Sequence, residues 1–590
     1  MRWGALLLVL ASLGLEGAAR AACSLGQLAE LPVTVARSRI LLPAKINGTD
    51  LQFIVDSGAF FSMLSPASAA SLHLNTSPAP YGMVFTGVGG DFKASVAWAK
   101  TFTLVKSTIP NIEFVVGGSD LEAPAAGLIG QNVLGMGDVD YDLASGAVRL
   151  IKPRDCGHAE LAYWDGEKPY SVMPIESTDA FRRHTVGTVL VNGVRVRATF
   201  DTGAPNTILG LRSAARAGLR PGEAGVTPAA ETGGLGRAST KAWTASIANF
   251  QIGDEQILKT KMLIADLGPD TEMLVGLDFF LSHRIYVANS QAKMYLTYIG
   301  GAVFNLDAPP VEAPSSSAGT VTADARTPPP GLNEPKDAEG FSRRGAVLAA
   351  RHQYGQAVAD FDRACALAPS EPRYFQQRAL ARLALHQTSP ALADLDVAVK
   401  LKPDDPEART ERAALRGQAH DEDGARADLD AAAAAASKEA NLRLQIGELY
   451  LGLDQYQSAV AQFDLWIAVH EDDRALPAAL NGRCWARALA GRDLDKALSD
   501  CNAALRLTQR APEVLDSRGL VHLRRGEFDR AIADYDAALA KNPKIAWSLY
   551  GRGVAELKTG AKAQGAADLA AASVEAPHLA ERAARLGLTP

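Results

Sequence analysis

The sequence predicts a multidomain protein: an all-β, bilobal first half joined by a linker to an all-α repeat solenoid. Three observations predict it. In the first half a set of landmarks recurs once, at an offset of 145 or 146 residues. In the second half a 34-residue period runs nearly to the end. Between them lies a stretch rich in Pro, Ser and Ala with no apolar periodicity. At 590 residues the chain is also too long for a single core.

Composition narrows the function classes. With 47% hydrophobic and 21% charged residues the chain reads as ordinary globular protein. A net charge of −6 gives no electrostatic reason to expect nucleic acid as a partner. Arg2, the 11-residue apolar run Ala5 to Leu15 and the small-x-small tripeptide Ala19-Arg20-Ala21 predict a signal peptide over residues 1–21. The protein is therefore expected to be exported, to the periplasm or out of the cell. That run is too short to span a bilayer comfortably, and no other segment is expected to be transmembrane. Arg20 stands three residues before Cys23, where a lipoprotein signal usually has Leu. Export permits disulfides. Five cysteines without CxxC spacing argue against a zinc site. Cys23–Cys156 and Cys484–Cys501 are candidate pairs, with Cys365 left over; the sequence leaves the pairing open.

The first repeat is carried by matched landmarks. Asn47-Gly48 returns as Asn192-Gly193, Asp56 as Asp201, Gly130 as Gly276 and Tyr141 as Tyr286. Residues 35–153 and 181–299 thus read as two copies of one β-rich unit. β-Rich runs flanking each Asn-Gly predict hairpins. Closing hairpins are expected around Ala144–Gly146 and Asn289–Gln291. Short helices are expected after each Asp, at 65–74 and 211–219.

Each copy ends an apolar run with Asp-Ser/Thr-Gly: Asp56-Ser57-Gly58 and Asp201-Thr202-Gly203. One such tripeptide is ordinarily a solvated turn. Two of them, each at the end of a strand, offer more. Gly lets another backbone approach closely, and the hydroxyl can hold the loop. Two neighbouring carboxylates do not easily both ionise, so the pair shares a proton. One Asp then serves as base on a water and the other as acid on a carbonyl. That chemistry needs no metal and no cofactor, and none is expected. The sequence also has no HExxH or GxSxG motif.

On these residues, about 30 to 300 resembles the aspartic proteases, closest to the retropepsin-like type. The resemblance adds an apolar-apolar-Gly element in each copy, Leu128-Ile129-Gly130 and Leu274-Val275-Gly276. It implies lobes at 22–160 and 161–305, with Asp56 and Asp201 as the catalytic dyad. Ser57, Gly58, Thr202 and Gly203 would brace the two loops, and Gly130 and Gly276 would support them from below. Two glycine-rich stretches would be flaps, represented by Phe85, Gly87, Gly89, Gly234 and Gly236. A flap in each copy implies a single-chain version of a retropepsin dimer. Two departures stand out. The flap Tyr of pepsin-like enzymes has no clear match, and Ala59 and Ala204 stand where those enzymes often carry a hydroxyl. Losing that hydrogen bond to the ionised form implies a pH optimum less acidic than pepsin's.

Residues 306–340 read as a linker. From 341 to 590, Ala-Asp-Phe-Asp at 359–362 returns as Ala-Asp-Leu-Asp at 393–396 and 427–430. Ala357, Ala391, Ala425, Ala459, Ala497 and Ala531 keep one position in the period, where a small residue lets paired helices pack closely. These residues resemble tetratricopeptide repeats, about seven helical hairpins plus a cap. His420–Asp423 and the His470 turn read as solvated turns rather than metal sites. The functional expectation is an aspartic endopeptidase acting on peptide or unfolded protein, with a repeat groove that recruits a protein partner. The alternative is a non-enzymatic peptide-binding adaptor on a degenerate protease fold.

Overall fold

In each half of the β domain an Asn-Gly hairpin delivers the Asp, because the two turn residues adopt the positive φ that a tight hairpin needs (Asn47 51°, Gly48 87°; Asn192 49°, Gly193 81°). This architecture comes from a computed structural model. It describes residues 23–79, 85–87, 90–118, 121, 125–157, 159–164, 169–177, 184–234, 239–304, 335–471, 473–508 and 510–590. The segment read as a signal peptide and most of the linker lie outside the described residues.

The strands Arg39–Ile46 and Thr49–Val55 pair antiparallel, and Val186–Val191 pairs with Val194–Phe200 in the same way. Each second strand then takes a parallel neighbour. Gly127–Ile129 lies beside Phe53–Val55, and Met273–Val275 beside Ala198–Phe200. The parallel register brings each apolar-apolar-Gly element out level with the Asp that ends the adjacent strand. One lobe is an eight-stranded sheet and the other a seven-stranded sheet. Short helices occupy Pro66–Ser71 and Leu211–Arg216, inside the stretches expected from the sequence.

The closing hairpins of the two copies do something the repeat alone did not announce: they merge into one six-stranded sheet. Its order is Ser24–Pro32, Ala147–Arg154, Asp138–Asp142, His283–Ala288, Lys293–Tyr298, Ser171–Pro174. The central pairing, Val139 with Val287 and Tyr141 with Ile285, crosses from one copy to the other. Asp140 is fully buried at this seam, held by Arg284 at 2.7 Å and Arg149 at 3.1 Å. One apolar core runs through both lobes, from Leu31 and Phe53 to Phe200 and Phe304. Disulfides join Cys23 to Cys156 and Cys484 to Cys501, and Cys365 is free and buried.

The second half is all helical. Seven antiparallel helix pairs run from Ala338–Ala350 to Lys562–Glu575, and Leu579–Arg585 follows as a cap. Pro369, Pro403, Pro543 and Pro577 each lie two residues past a helix end, where proline cannot continue the ladder. The repeated Ala357, Ala391, Ala425, Ala459, Ala497 and Ala531 are all essentially fully buried. The repeated Asp has a role beyond packing. Arg344–Asp360, Arg378–Asp394, Arg412–Asp428, Arg518–Asp534 and Arg552–Asp568 are bidentate pairs 16 residues apart, and Arg483–Asp500 is a sixth at 17. Each couples the two helices of one repeat. His470 departs from the expected solvated turn. It is buried, stacked on Trp466 at 4.1 Å, and bonded through its ring nitrogens to Trp466 O and Asn441 Oδ1. Asp473 is buried as well.

Candidate active site

The two Asp loops meet at the lobe interface. Ser57 Oγ donates to Phe200 O (2.8 Å) and accepts from Thr202 N–H (2.9 Å). Thr202 Oγ1 donates to Val55 O (2.8 Å) and accepts from Ser57 N–H (3.0 Å). Each hydroxyl thus bridges strand and loop of the opposite copy. Both residues are buried, so none of the four bonds competes with water. This reciprocal clasp fixes the two carboxylates relative to one another.

Asp56 and Asp201 are in side-chain hydrogen-bond contact. Asp56 Oδ1 accepts from Gly58 N–H at 2.9 Å, and Asp201 Oδ1 from Gly203 N–H at 2.8 Å. The glycines are required by the crossing itself. A Cβ on Gly58 would overlap the Asp201 carboxyl, and one on Gly203 would overlap that of Asp56. Burial raises the Asp56 pKa well above the usual carboxylate value, and the charge and hydrogen bond of Asp201 raise it further. The Gly58 N–H and Arg39 pull the other way.

Gly130 and Gly276 lie directly under the loops. A side chain on Gly130 would press on Ala59 O and Phe61 O, and one on Gly276 on Ala204 O and the Asn206 backbone. The next residue in each copy donates its N–H to the loop: Gln131 to Ala59 O and Leu277 to Ala204 O, both at 2.8 Å. Phe85–Gly87 pairs with Gly90–Phe92 as a separate two-stranded hairpin, the two Phe rings 5.9 Å apart. In the second copy Val226–Gly233 pairs with Ser239–Ile252, and Gly234 follows the pairing. Gly89 and Gly236 lie outside the described residues.

Several residues enter the site that the sequence reading assigned no role. Arg39, at the start of its strand, donates from Nη1 to Gly203 O and attracts both carboxylates. Its matched position in the second copy, 145 residues on, is His184, which bonds the Gly58 backbone and stacks edge-on to Phe60 at 6.2 Å. Burial lowers the pKa of both side chains. Tyr141 lies buried beneath the dyad with its hydroxyl bonded to Ser57, and burial raises its pKa. Below the loops Ser62 bonds Asn132 Oδ1, and Thr207 bonds Asp278. Burial pushes Asp278 up to about 6. The signal was present: Arg39 and His184, Ser62 and Thr207, Asn132 and Asp278, and Tyr141 and Tyr286 all keep the offset of 145 or 146 residues that marks the Asp residues and their glycines.

Comparison with known proteins agrees with this geometry. Residues 42–133 and 187–279 match the aspartyl protease family model, and 512–545 match the tetratricopeptide repeat model. The first half thus consists of two tandem lobes that each match the aspartyl protease model, and the helical half contains a match to the tetratricopeptide repeat model. Solved structures similar to it include a tetratricopeptide repeat protein from Parabacteroides merdae (17% identity, TM-score 0.34, covering 42% of this chain and 98% of that one). Another is YrrB, described as a repeat protein with an unusual peptide-binding site (15% identity, TM-score 0.22, covering 39% and 98%). No curated protein matches the chain.

Proposed function

We propose that the protein is an aspartic endopeptidase in which Asp56 and Asp201 act as one catalytic dyad. The observation that carries this reading is the partly buried pair of carboxylates in contact with each other, each enclosed by the other lobe's glycine. Such a pair holds one proton between its members. The ionised carboxylate removes a proton from a water lying across the pair, and that water attacks the scissile carbonyl. The protonated partner donates to the carbonyl oxygen as the tetrahedral intermediate forms. Proton transfer to the leaving amine then breaks the C–N bond and restores the pair. The hairpins containing Phe85 and preceding Gly234 would close over an extended peptide and exclude bulk water.

The repeat half supplies surface for a protein partner or for substrate recruitment. It holds a polar cavity of about 500 Å³ lined by residues including Tyr456, Arg492, Arg524 and Arg585. Export is part of the same reading. The N-terminal charge and apolar pattern supports it, as do two disulfides that need an oxidising compartment. Among the described residues no helix is long and apolar enough to cross a membrane.

The test is cleavage of a reduced, alkylated protein between about pH 4 and 7 by the wild type, Asp56→Asn and Asp201→Asn. Cleavage by the wild type alone is expected. Equal cleavage by all three would remove the dyad from the mechanism, and no cleavage by any would favour the peptide-binding adaptor.

A further inference from the structure

The repeat array is packed onto the β domain rather than merely tethered to it. Val347, in the first repeat helix Ala338–Ala350, is buried within the same core cluster as Val33, Leu143 and Phe304. Arg343 of that helix lies over Gly146 in the first lobe. Arg351, at its end, donates from Nε to Leu281 O in the second lobe (2.8 Å) and passes over Gly301. One helix thus touches both lobes. A second contact comes from the third repeat. Glu411, in the helix Pro406–Gln418, lies 3.4 Å from Arg37 and accepts from Gln376 Nε2 at 2.9 Å.

Both contacts converge on one hairpin. The strand Thr34–Ala36, against which the first repeat helix packs, turns through Arg37 and Ser38 into the strand that begins at Arg39. Arg37 and Ser38 both have positive φ, 48° and 56°. A two-residue turn of this kind favours Asn-Gly, and neither residue here is Gly, Asn or Asp. Such a turn persists when its surroundings hold it. The next residue, Arg39, spans the lobe interface to Gly203 O beside the dyad.

We propose that the repeat array is part of the catalytic apparatus. By holding the Arg37–Ser38 turn it sets Arg39, a positioning residue, across the dyad on the opposite lobe's Asp loop. The role given to Arg39 rests on the dyad reading above. The charged and titratable groups facing this point are Asp56, Asp201, Arg39, His184 and Tyr141 at the site. Around Glu411 they are Arg37, Glu407 and Asp405. Burial pushes Glu411 up to about 7, and the hydrogen bond from Gln376 and the charge of Arg37 pull the other way.

The test titrates the dyad directly, in the full chain, by NMR of ¹³Cγ-labelled aspartate, with Asp56→Asn and Asp201→Asn supplying the assignments. Arg39→Met should move the pair's titration up by about one pH unit, since an adjacent cation favours the ionised pair. Arg39→Lys should restore most of it. Glu411→Ala should shift it in the same upward direction by less. Val347→Ala, which alters no charge, should do likewise. Glu411→Ala added to Arg39→Met should give no further shift, because both act through one side chain. Titration unmoved by Arg39→Met overturns the proposal. So does titration unmoved by both array variants, or an additive double mutant. The readout does not depend on turnover. Variants that show these shifts, beside a wild type that cleaves nothing, would refute the endopeptidase reading and leave this coupling standing.

Discussion

At the scale of single residues the site depends on what is missing from Gly58 and Gly203 as much as on Asp56 and Asp201. Gly58→Ala would drive a methyl group into the Asp201 carboxyl. Cleavage by this variant is expected to fall by about a hundredfold or more, because catalysis tolerates little displacement of reacting groups. A kcat/KM near that of the wild type would show that the carboxylates need not meet. The pH behaviour follows from the signs already given. Burial and Asp201 raise Asp56, so the shared proton survives into less acidic solution and activity is lost as pH rises through that raised pKa. The two Asp residues were legible because a strand, a hydroxyl and a glycine recurred at one offset. Arg39 and His184 recur at that offset too, but as different residue types, so identity matching passed over them. Only the folded geometry shows that both reach the glycine of the opposite loop.

At the scale of elements, the helices owe their pairing to small residues and to buried ion pairs together. Asp428 is almost fully buried and receives Arg409, Arg412 and Arg416. Asp428→Ala would remove the buried acceptor that these three guanidinium groups share. A cost of about 3 kcal/mol is expected, read as a lower melting temperature; an unchanged melting temperature would show the ladder to be idle. A buried carboxylate in a later repeat gives a pH-dependent counterpart. Asp516 is buried, accepts from Ser548 Oγ at 2.6 Å, and is pushed up to about 7 by burial. A folded pKa above the unfolded one means that its contribution is complete below about pH 4 and is lost as pH rises through about 7. Asp516→Asn keeps an acceptor without the charge, so it should raise the melting temperature at pH 9 relative to wild type and change it little at pH 4. The opposite pattern would contradict burial as the cause. The 34-residue period exposed the helices and their alanines. It did not separate a repeated Asp that packs from one that pairs, because its Arg partner lies on the preceding helix of the same repeat.

At the scale of the whole molecule, two junctions decide how the parts work. One is the six-stranded sheet, where the closing hairpins of both copies share hydrogen bonds. The copies were legible as units; their merger was not, since strand pairing between distant segments leaves no local periodicity. The other is the seat of the first repeat helix on both lobes. Residues 23–304 expressed alone would expose the apolar surface that Val347 covers. They should melt lower than the same domain in the full chain by roughly 2 kcal/mol of lost burial; equal stability would show that the docking contributes nothing. The central claim, though, is that two motifs 145 residues apart form one site. The most direct measurement compares kcat/KM for Asp56→Asn, Asp201→Asn and the double mutant. Groups acting as one unit predict that each single change costs about as much as both together. Losses that multiply in the double mutant would mean two independent contributions, and would contradict a shared dyad.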